Sequence, residues 1–372
     1  MSHAPEEPRT PEFRRFFLPG PTSVRPEVLE AMKGPMMGHR DQGVVELMGE
    51  LQEGLRTVFR TERPVVVSTS SATGLMEAGI RCGVGKRLLA LVNGAFSERF
   101  AKIAEACGKP VDRLEVPWGD THDPEQVADA LRAGDYDAVT VVHSETSTGA
   151  LNPIEEISRV VHEADDVLLL VDSVSGLAGA PLHTDDWNLD FVLTGTQKAL
   201  AVPPGLAFGV SSPALLERAK NIPGRGMYFD LVEFNDRLKK LHTPNTPGLS
   251  LMYALQAQLR VIVAEGMDAR WERHRKMAER MWSWVDGLRE NRGLAVSVLA
   301  HEGGRSPTVT CVRVPKDQEV AAILGTMRER GYVIASGYGR LKKETVRIGH
   351  MGEHTMDELD ELLEVLEEVL VG

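Results

Sequence analysis

Short apolar segments alternate with helical patterns along the first two thirds of the chain. The segments that read as strands are 64–68, 87–92, 137–143, 167–172 and 191–194. Between them, helices are predicted from about residue 73, over 96–107 and over 153–164. Continuous apolar strands separated by helices are typical of a mostly parallel sheet with helices on both faces. The pattern therefore predicts a large α/β domain.

The last third of the chain has a different pattern. A loop rich in Pro, Gly and Asn spans 242–248, and a long helical stretch follows over 249–291, interrupted near Gly266. Further strands are predicted at 308–314, 332–335 and 345–348, with helices at 317–330 and 353–370. We therefore predict three parts: a flexible N-terminal tail over 1–16, a large domain over 17–255, and a small α+β domain over 256–372.

Composition narrows the possible functions. The 372 residues are 42% hydrophobic and 26% charged, with a net charge of -12, which argues against a nucleic-acid surface. No apolar run of about 18 residues occurs, so we expect no membrane span. The three cysteines are far apart, and the histidines form no H-E-x-x-H motif, so neither a disulfide framework nor a metal site is predicted. A cytoplasmic protein fits these features.

Polar residues collect where the predicted strands end. They lie at 70–73, 144–148, 172–175 and 194–198, and in parallel sheets this edge is where ligands bind. Lys198 could be a Schiff-base nucleophile, because a partly desolvated ammonium has a lowered pKa, or simply a surface lysine. Asp172 could be a turn cap or a ligand-facing charge. A carboxylate and a lysine at one edge are what pyridoxal phosphate needs for its ring nitrogen and its aldehyde.

Three further features have both a functional and a structural interpretation. The small residues at 70–74 could let backbone N–H groups approach a phosphate, or Ser71 could simply cap a helix. Phe96 could stack on an aromatic ring, or it could belong to the core. Arg347, between apolar neighbours in a predicted strand, could bind a substrate carboxylate through two hydrogen bonds or form a salt bridge.

Several of these segments occur together in one known family. The motifs are Leu-Pro-Gly-Pro-Thr at 18–22, His-Ser-Glu-Thr-Ser-Thr-Gly at 143–149, Val-Asp-Ser-Val-Ser at 171–175, Gly-Thr-Gln-Lys-Ala at 195–199 with Pro-Pro-Gly at 203–205, and Val-Arg-Ile-Gly at 346–349. In this order, from about Phe17 to the C-terminus, they resemble the class V, fold-type I aminotransferases, and most closely the alanine–glyoxylate and serine–pyruvate branch.

The resemblance implies a role for each matching residue. Lys198 would carry pyridoxal 5'-phosphate and move the substrate proton, Asp172 would pair with the pyridinium, and Arg347 would bind the substrate carboxylate. The phosphate would be held by Ser71, Ala72, Thr73 and Gln197, and by Thr246 of a partner subunit in a homodimer. Phe96 would stack on the ring, where several relatives have tryptophan, and Ser147 would lie near its hydroxyl. The loop that contains Gly20 would fold over the substrate.

The resemblance also implies a large sheet of the seven-stranded type and the transamination of alanine or serine with glyoxylate or pyruvate by a ping-pong mechanism. Two alternatives stay open. One is a class V aminotransferase for a phosphorylated or phosphonate substrate (phosphoserine or 2-aminoethylphosphonate), for which the pair His39-Arg40 is the signal. The other is a non-catalytic binding protein on a decayed enzyme scaffold, against which the intact Lys198, Asp172 and Arg347 speak.

Overall fold

The computed structural model describes residues 15–372. Twelve α-helices and one short 3-10 helix, Gly339–Leu341, lie in this part of the chain. The α-helices are α1 Pro26–Ala31, α2 Gln42–Phe59, α3 Ala72–Gly83, α4 Ala95–Ala106, α5 Pro124–Ala133, α6 Ile154–Val161, α7 Pro213–Asn221, α8 Leu231–Leu238, α9 Leu249–Glu265, α10 Met267–Arg292, α11 Val320–Glu329 and α12 Met356–Val371.

Fifteen strands accompany the helices within the same residues. They are β1 Arg15–Phe16, β2 Val65–Ser68, β3 Leu88–Val92, β4 Val111–Glu115, β5 Ala138–Val142, β6 Ser144–Glu145, β7 Ala150–Leu151, β8 Leu168–Asp172, β9 Phe191–Gly195, β10 Ala207–Ser211, β11 Ser297–Val298, β12 Val309–Arg313, β13 Tyr332–Val333, β14 Ala335–Ser336 and β15 Thr345–Gly349. The strands predicted from apolar segments of the first two thirds are all present, each within one or two residues of its expected bounds.

A seven-stranded sheet forms the centre of the large domain, in the order β2-β10-β9-β8-β5-β3-β4. β10 runs antiparallel to both of its neighbours, and the other pairs are parallel. Six of its strands, all except β4 at the edge, have every residue buried, as expected for strands covered by helices on both faces. The predicted fold class, a mostly parallel sheet with a smaller C-terminal α+β part, is confirmed.

The C-terminal part contains a four-stranded antiparallel sheet in the order β11-β12-β15-β14. The single strand predicted over 332–335 is wrong in one respect, because the chain forms two short strands there. Tyr332–Val333 pairs with Arg15–Phe16, whereas Ala335–Ser336 joins the sheet beside β15. A pattern of apolar residues does not show which neighbour each backbone segment will pair with.

Two clusters of buried apolar side chains meet along α10. Trp271 belongs to the cluster around the seven-stranded sheet, and Met277, two turns later, belongs to the C-terminal cluster. The predicted boundary at residue 255 falls inside α9, whose buried side chains pack with the first cluster. At the other predicted boundary, Arg15 and Phe16 are paired with β13, while the rest of the predicted tail lies outside the described residues.

Candidate active site

The central cavity lies at the carboxyl end of the parallel strands and encloses about 250 Å³. Of the residues predicted to form a site, it brings together Gly20, Ser71, Ala72, Thr73, Phe96, Asp172, Gln197 and Lys198. The strands β2, β3, β8 and β9 all end at this edge, which is why residues distant in sequence converge there.

Asp172 is the last residue of β8 and is only 3% exposed. Its Oδ1 accepts a hydrogen bond of 2.8 Å from the Val174 N–H, and no described residue donates to its Oδ2. Burial raises the pKa of this carboxyl to about 7, partly offset by the Val174 hydrogen bond. A carboxylate that lacks a second donor and faces a cavity is suited to a cationic ring N–H.

Lys198 follows β9 by three residues, and its side chain lines the central cavity. Its Nζ donates to the carbonyl oxygen of Pro19, in the N-terminal loop. Burial lowers the pKa of the ammonium to about 8; the nearby charge of Arg347 lowers it further, and Asp172 acts in the opposite sense. A lowered pKa makes the neutral, nucleophilic amine easier to reach near neutral pH.

Gly20 shows why the N-terminal loop can approach Lys198 so closely. Its φ is +107°, a conformation that other residues rarely adopt. A Cβ at this position would lie 2.5 Å from Cδ of Lys198. Thr22 anchors the same loop, because its N–H donates to the Gln197 carbonyl at 3.1 Å and its hydroxyl donates to the Lys198 carbonyl at 3.0 Å.

The N-terminus of α3 forms another wall of the cavity. Ser71 is the N-cap residue, and Ser71, Ala72, Thr73 and Gln197 all line the cavity. The first N–H groups of a helix have no acceptor within it, and the helix dipole favours an anion there. The donor set and the charge therefore fit a phosphate group.

Phe96 is half-buried in the first turn of α4, and its ring lies 5.3 Å from that of Tyr338. The turn is fixed by Glu145, which is fully buried. Its carboxylate accepts hydrogen bonds from the backbone N–H groups of Phe96, Ser97 and Ser147, at 2.9 to 3.3 Å. Glu145 was not predicted as a functional residue. The sequence offered one signal for it, because the helix that starts after Asn93-Gly94 has N–H groups in its first turn that need an acceptor.

Two predicted site residues lie away from the cavity wall. Ser147 is fully buried, and its hydroxyl donates to Glu145 at 2.6 Å and accepts from the Ala95 N–H at 2.9 Å. Thr246 is exposed in the loop 243–247 and lines a small pocket together with Thr69 and Tyr228. Neither side chain contacts the central cavity within this chain.

Arg347 lies in β15, is 8% exposed and sits beside the cavity. Its Nε donates to the Ser336 carbonyl at 2.9 Å, and its Nη1 donates to the carbonyl of Thr146, a residue that lines the cavity, at 3.3 Å. Burial lowers its pKa. No carboxylate of residues 15–372 forms an ion pair with it, so the salt-bridge interpretation of Arg347 is wrong within this chain.

Two observations concern the rest of the described residues. None of the helices in residues 15–372 has both the length and the apolar character required to cross a membrane. Cys82, Cys107 and Cys311 are free thiols, and the first and last of them are buried.

Comparison with known proteins adds independent findings. A family model described as "Aminotransferase class-V" matches residues 16–362. An uncharacterised aminotransferase of Methanocaldococcus jannaschii is 39% identical over 343 residues, which cover 91% of this chain and 87% of that protein. The crystal structure of an alanine–glyoxylate aminotransferase from Nostoc sp. superimposes with a TM-score of 0.91 at 31% identity, covering 98% of this chain and 97% of that one. The crystal structure of an aspartate aminotransferase from Thermus thermophilus, described as belonging to subgroup IV, superimposes with a TM-score of 0.86 at 32% identity. The match covers 96% of this chain and 99% of that one.

Proposed function

Because the chain belongs to the class V family of pyridoxal-phosphate-dependent aminotransferases, we propose that it transfers the amino group of alanine or serine to glyoxylate or pyruvate by a ping-pong mechanism. The observation that carries this proposal is the arrangement of three side chains. Lys198 and Asp172 face one cavity, and Arg347 lies beside it without a carboxylate partner among the described residues.

The residues around the cavity fit pyridoxal phosphate. When bound, this cofactor supplies an electron sink that stabilises negative charge at the substrate Cα. Asp172 would accept the ring N–H through Oδ2, to which none of residues 15–372 donates. The α3 N-terminus and Gln197 would hold the phosphate, and Phe96 would cover the ring. Ser147 would act through Glu145 and α4, which position Phe96, rather than by direct contact.

The chain's own groups account for the remaining requirements of the reaction. Lys198 Nζ, with its lowered pKa, would take the proton from Cα of the amino donor and give it to the cofactor carbon C4′, and it would move a proton in the opposite direction when the 2-oxo acid reacts. Arg347 would hold the α-carboxylate that donor and acceptor share, so one residue serves both half-reactions. The loop 18–22 would exclude water from the side on which Pro19 contacts Lys198.

We further propose a cytoplasmic homodimer in which Thr246 reaches the cofactor phosphate of the partner subunit. The support is the position of Thr246, which is exposed on a loop beside the end of β2 instead of in the cavity of its own chain. The alternative of a phosphorylated substrate has less support. Arg40 of the His39-Arg40 pair donates to the carbonyls of Thr243 and Pro244, so it is engaged with that loop.

Labelling and spectroscopy test the proposal together. The purified protein should absorb in the visible when loaded with pyridoxal phosphate, and borohydride should then fix the cofactor to the peptide that contains Lys198. Alanine or serine should bleach this absorption in a single turnover, and glyoxylate or pyruvate should restore it. Labelling of another lysine would reject the assignment of Lys198, and a protein that stays colourless after incubation with excess cofactor and removal of the unbound part would indicate a decayed scaffold.

A further inference from the structure

Arg99 is a second arginine at the central cavity, and the roles assigned above do not use it. It lies one helical turn after Phe96 in α4, so both side chains project from the same face. Its guanidinium carbon is 4.8 Å from the centre of the Phe96 ring. Arg99 lines the cavity together with Lys198 and Asp172.

The charge of Arg99 has no carboxylate partner among residues 15–372. Within the described residues, its hydrogen bond to a side chain runs from Nη2 to the hydroxyl of Tyr338, at 3.0 Å. Glu145 at the start of the same helix is already saturated by N–H and hydroxyl donors. A half-buried guanidinium that has free donors and no counterion in the described part of the chain is suited to binding an anion.

Tyr338 brings Arg99 and Arg347 into one cluster. The Arg347 guanidinium lies 5.5 Å from the Tyr338 ring centre, and Arg99 contacts the hydroxyl of the same ring. Arg347 is the more deeply buried of the two and is assigned to the α-carboxylate, which leaves Arg99 for a second negative charge. The groups that would hold the cofactor phosphate, the α3 N-terminus and Gln197, lie on other elements than Arg99, so Arg99 is not needed for the phosphate.

We propose that Arg99 binds a distal carboxylate of the substrate, so that the site also accepts amino acids with a second carboxylate in the side chain. This inference rests on the proposed function, since it places the substrate between Arg347 and Lys198. It predicts that charge, and not size alone, selects among donors. Aspartate and asparagine are suitable probes because they have nearly the same shape and differ in the charge of the distal group.

The experiment measures kcat/KM of the cofactor-loaded enzyme for aspartate, asparagine and alanine in single-turnover half-reactions. For the wild type, aspartate should exceed asparagine by about tenfold to 100-fold, the effect of a hydrogen bond to a charged group. In Arg99→Gln this ratio should fall to within about threefold of one, because aspartate loses a distal contact that asparagine does not have; Arg99→Lys should keep part of the preference. Arg340→Gln is the matched control, because Arg340 lies on the Trp118 ring, outside the cavity, and also lacks an ion pair in the described chain.

The outcomes separate this inference from the function on which it rests. Reaction with alanine but equal rates for aspartate and asparagine in the wild type would overturn the role of Arg99 and leave the aminotransferase proposal intact. In another outcome, the wild type prefers aspartate to asparagine, Arg99→Gln removes this preference, and alanine does not react. That result would support the role of Arg99 and reject alanine as the amino donor. Equal losses for all three donors in Arg99→Gln, or a matching loss of pyridoxal phosphate affinity, would show that Arg99 serves the cofactor or the fold, and would overturn the inference.

Discussion

The guanidinium of Arg270, which is fully buried, donates a 2.8 Å hydrogen bond to the carbonyl oxygen of Ala199, the residue that follows Lys198. The same guanidinium forms ion pairs with Glu265 at 2.6 Å and Glu353 at 2.8 Å. It therefore ties the lysine segment to α9 and to the loop that follows β15. A buried ion network directly behind the reactive lysine fixes the backbone from which that lysine projects.

Replacement of Arg270 by Met should destabilise the protein by at least about 1.5–3 kcal/mol, the range for a hydrogen bond to a charged group, because Glu265 and Glu353 would lose their buried partner even though Glu265 keeps Arg273. Urea denaturation measures this loss. Arg260→Met is the matched control: Arg260 pairs with Glu50 on the surface, and exposed pairs contribute about 0–1 kcal/mol. Equal stability of the two variants would contradict the role given to Arg270.

Asp172 should make the cofactor-free protein less stable as the pH rises. Its pKa is about 7 in the native state and near the ordinary 3.8 in the unfolded chain, so the native state binds more protons between these values. Stability from this group therefore falls through that window, by about 1.4 kcal/mol for each unit of difference. Asp172→Asn keeps an oxygen acceptor for the Val174 N–H and removes the charge.

We therefore expect cofactor-free Asp172→Asn to be more stable than the wild type at pH 8 and to differ little from it near pH 4. Asp129→Asn is the control, since Asp129 is exposed on α5 beside Arg132. In the cofactor-loaded enzyme, Asp172→Asn should instead slow removal of the Cα proton, because the cofactor ring loses its charge partner. A loss of stability at pH 8 in the cofactor-free variant would show that burial does not penalise this carboxylate.

The sequence pattern predicts the site residues that lie within a strand or shortly after one. Asp172 and Arg347 were identifiable because each interrupts or ends a run of apolar residues in a strand. Lys198 was identifiable because it follows a predicted strand and a short segment of small and polar residues. Glu145, Arg99 and Tyr338 were not identified, because their importance depends on contacts between segments. Glu145 meets α4 across about fifty residues, and Tyr338 meets Arg99 across a separation of 239 residues.

Glu145 should be essential for the placement of Phe96. Glu145→Gln replaces one accepting oxygen by a donor that faces N–H groups, so we expect a loss of about 1.5–3 kcal/mol in the free energy of unfolding, the range for a hydrogen bond to a charged group. Cofactor affinity should also fall, because the Phe96 ring would no longer be fixed. Glu155→Gln in the exposed first turn of α6 is the control, and an equally small effect of both changes would reject this role.

Arg40 should affect the cofactor site through the loop 243–247. Its two hydrogen bonds end on the carbonyls of Thr243 and Pro244, and the Gly248 N–H beyond this loop donates to the Thr69 hydroxyl at 3.0 Å. Arg40→Met should weaken pyridoxal phosphate binding about 2- to 12-fold, the equivalent of one ordinary hydrogen bond. Lys240→Met, an exposed charge near the same loop, should leave the dissociation constant unchanged. If Arg40→Met changed the affinity for a phosphorylated amino donor more than it changed the affinity for pyridoxal phosphate, Arg40 would be a substrate ligand.

Arg347 provides the sharpest test of the substrate class. Its guanidinium is nearly buried, has no carboxylate partner among the described residues and donates to two backbone carbonyls, Ser336 and Thr146. Lysine keeps the charge but loses the planar fork, so Arg347→Lys should weaken the binding of alanine, serine, glyoxylate and pyruvate alike, by about 1.5–3 kcal/mol. Cofactor content should barely change, because the contact lies on the substrate.

The decisive measurement compares alanine with ethylamine, its decarboxylated counterpart, in single-turnover reactions of the wild type and Arg347→Lys. The advantage of alanine over ethylamine reports the binding of the carboxylate alone, and the variant should lose most of it. Arg313→Lys in the neighbouring strand β12 is the control, because Arg313 is exposed and paired with Glu344. If alanine keeps its full advantage in Arg347→Lys, the α-carboxylate is bound elsewhere, and Arg99 becomes the first residue to examine, since it is the other cavity arginine without a carboxylate partner in residues 15–372.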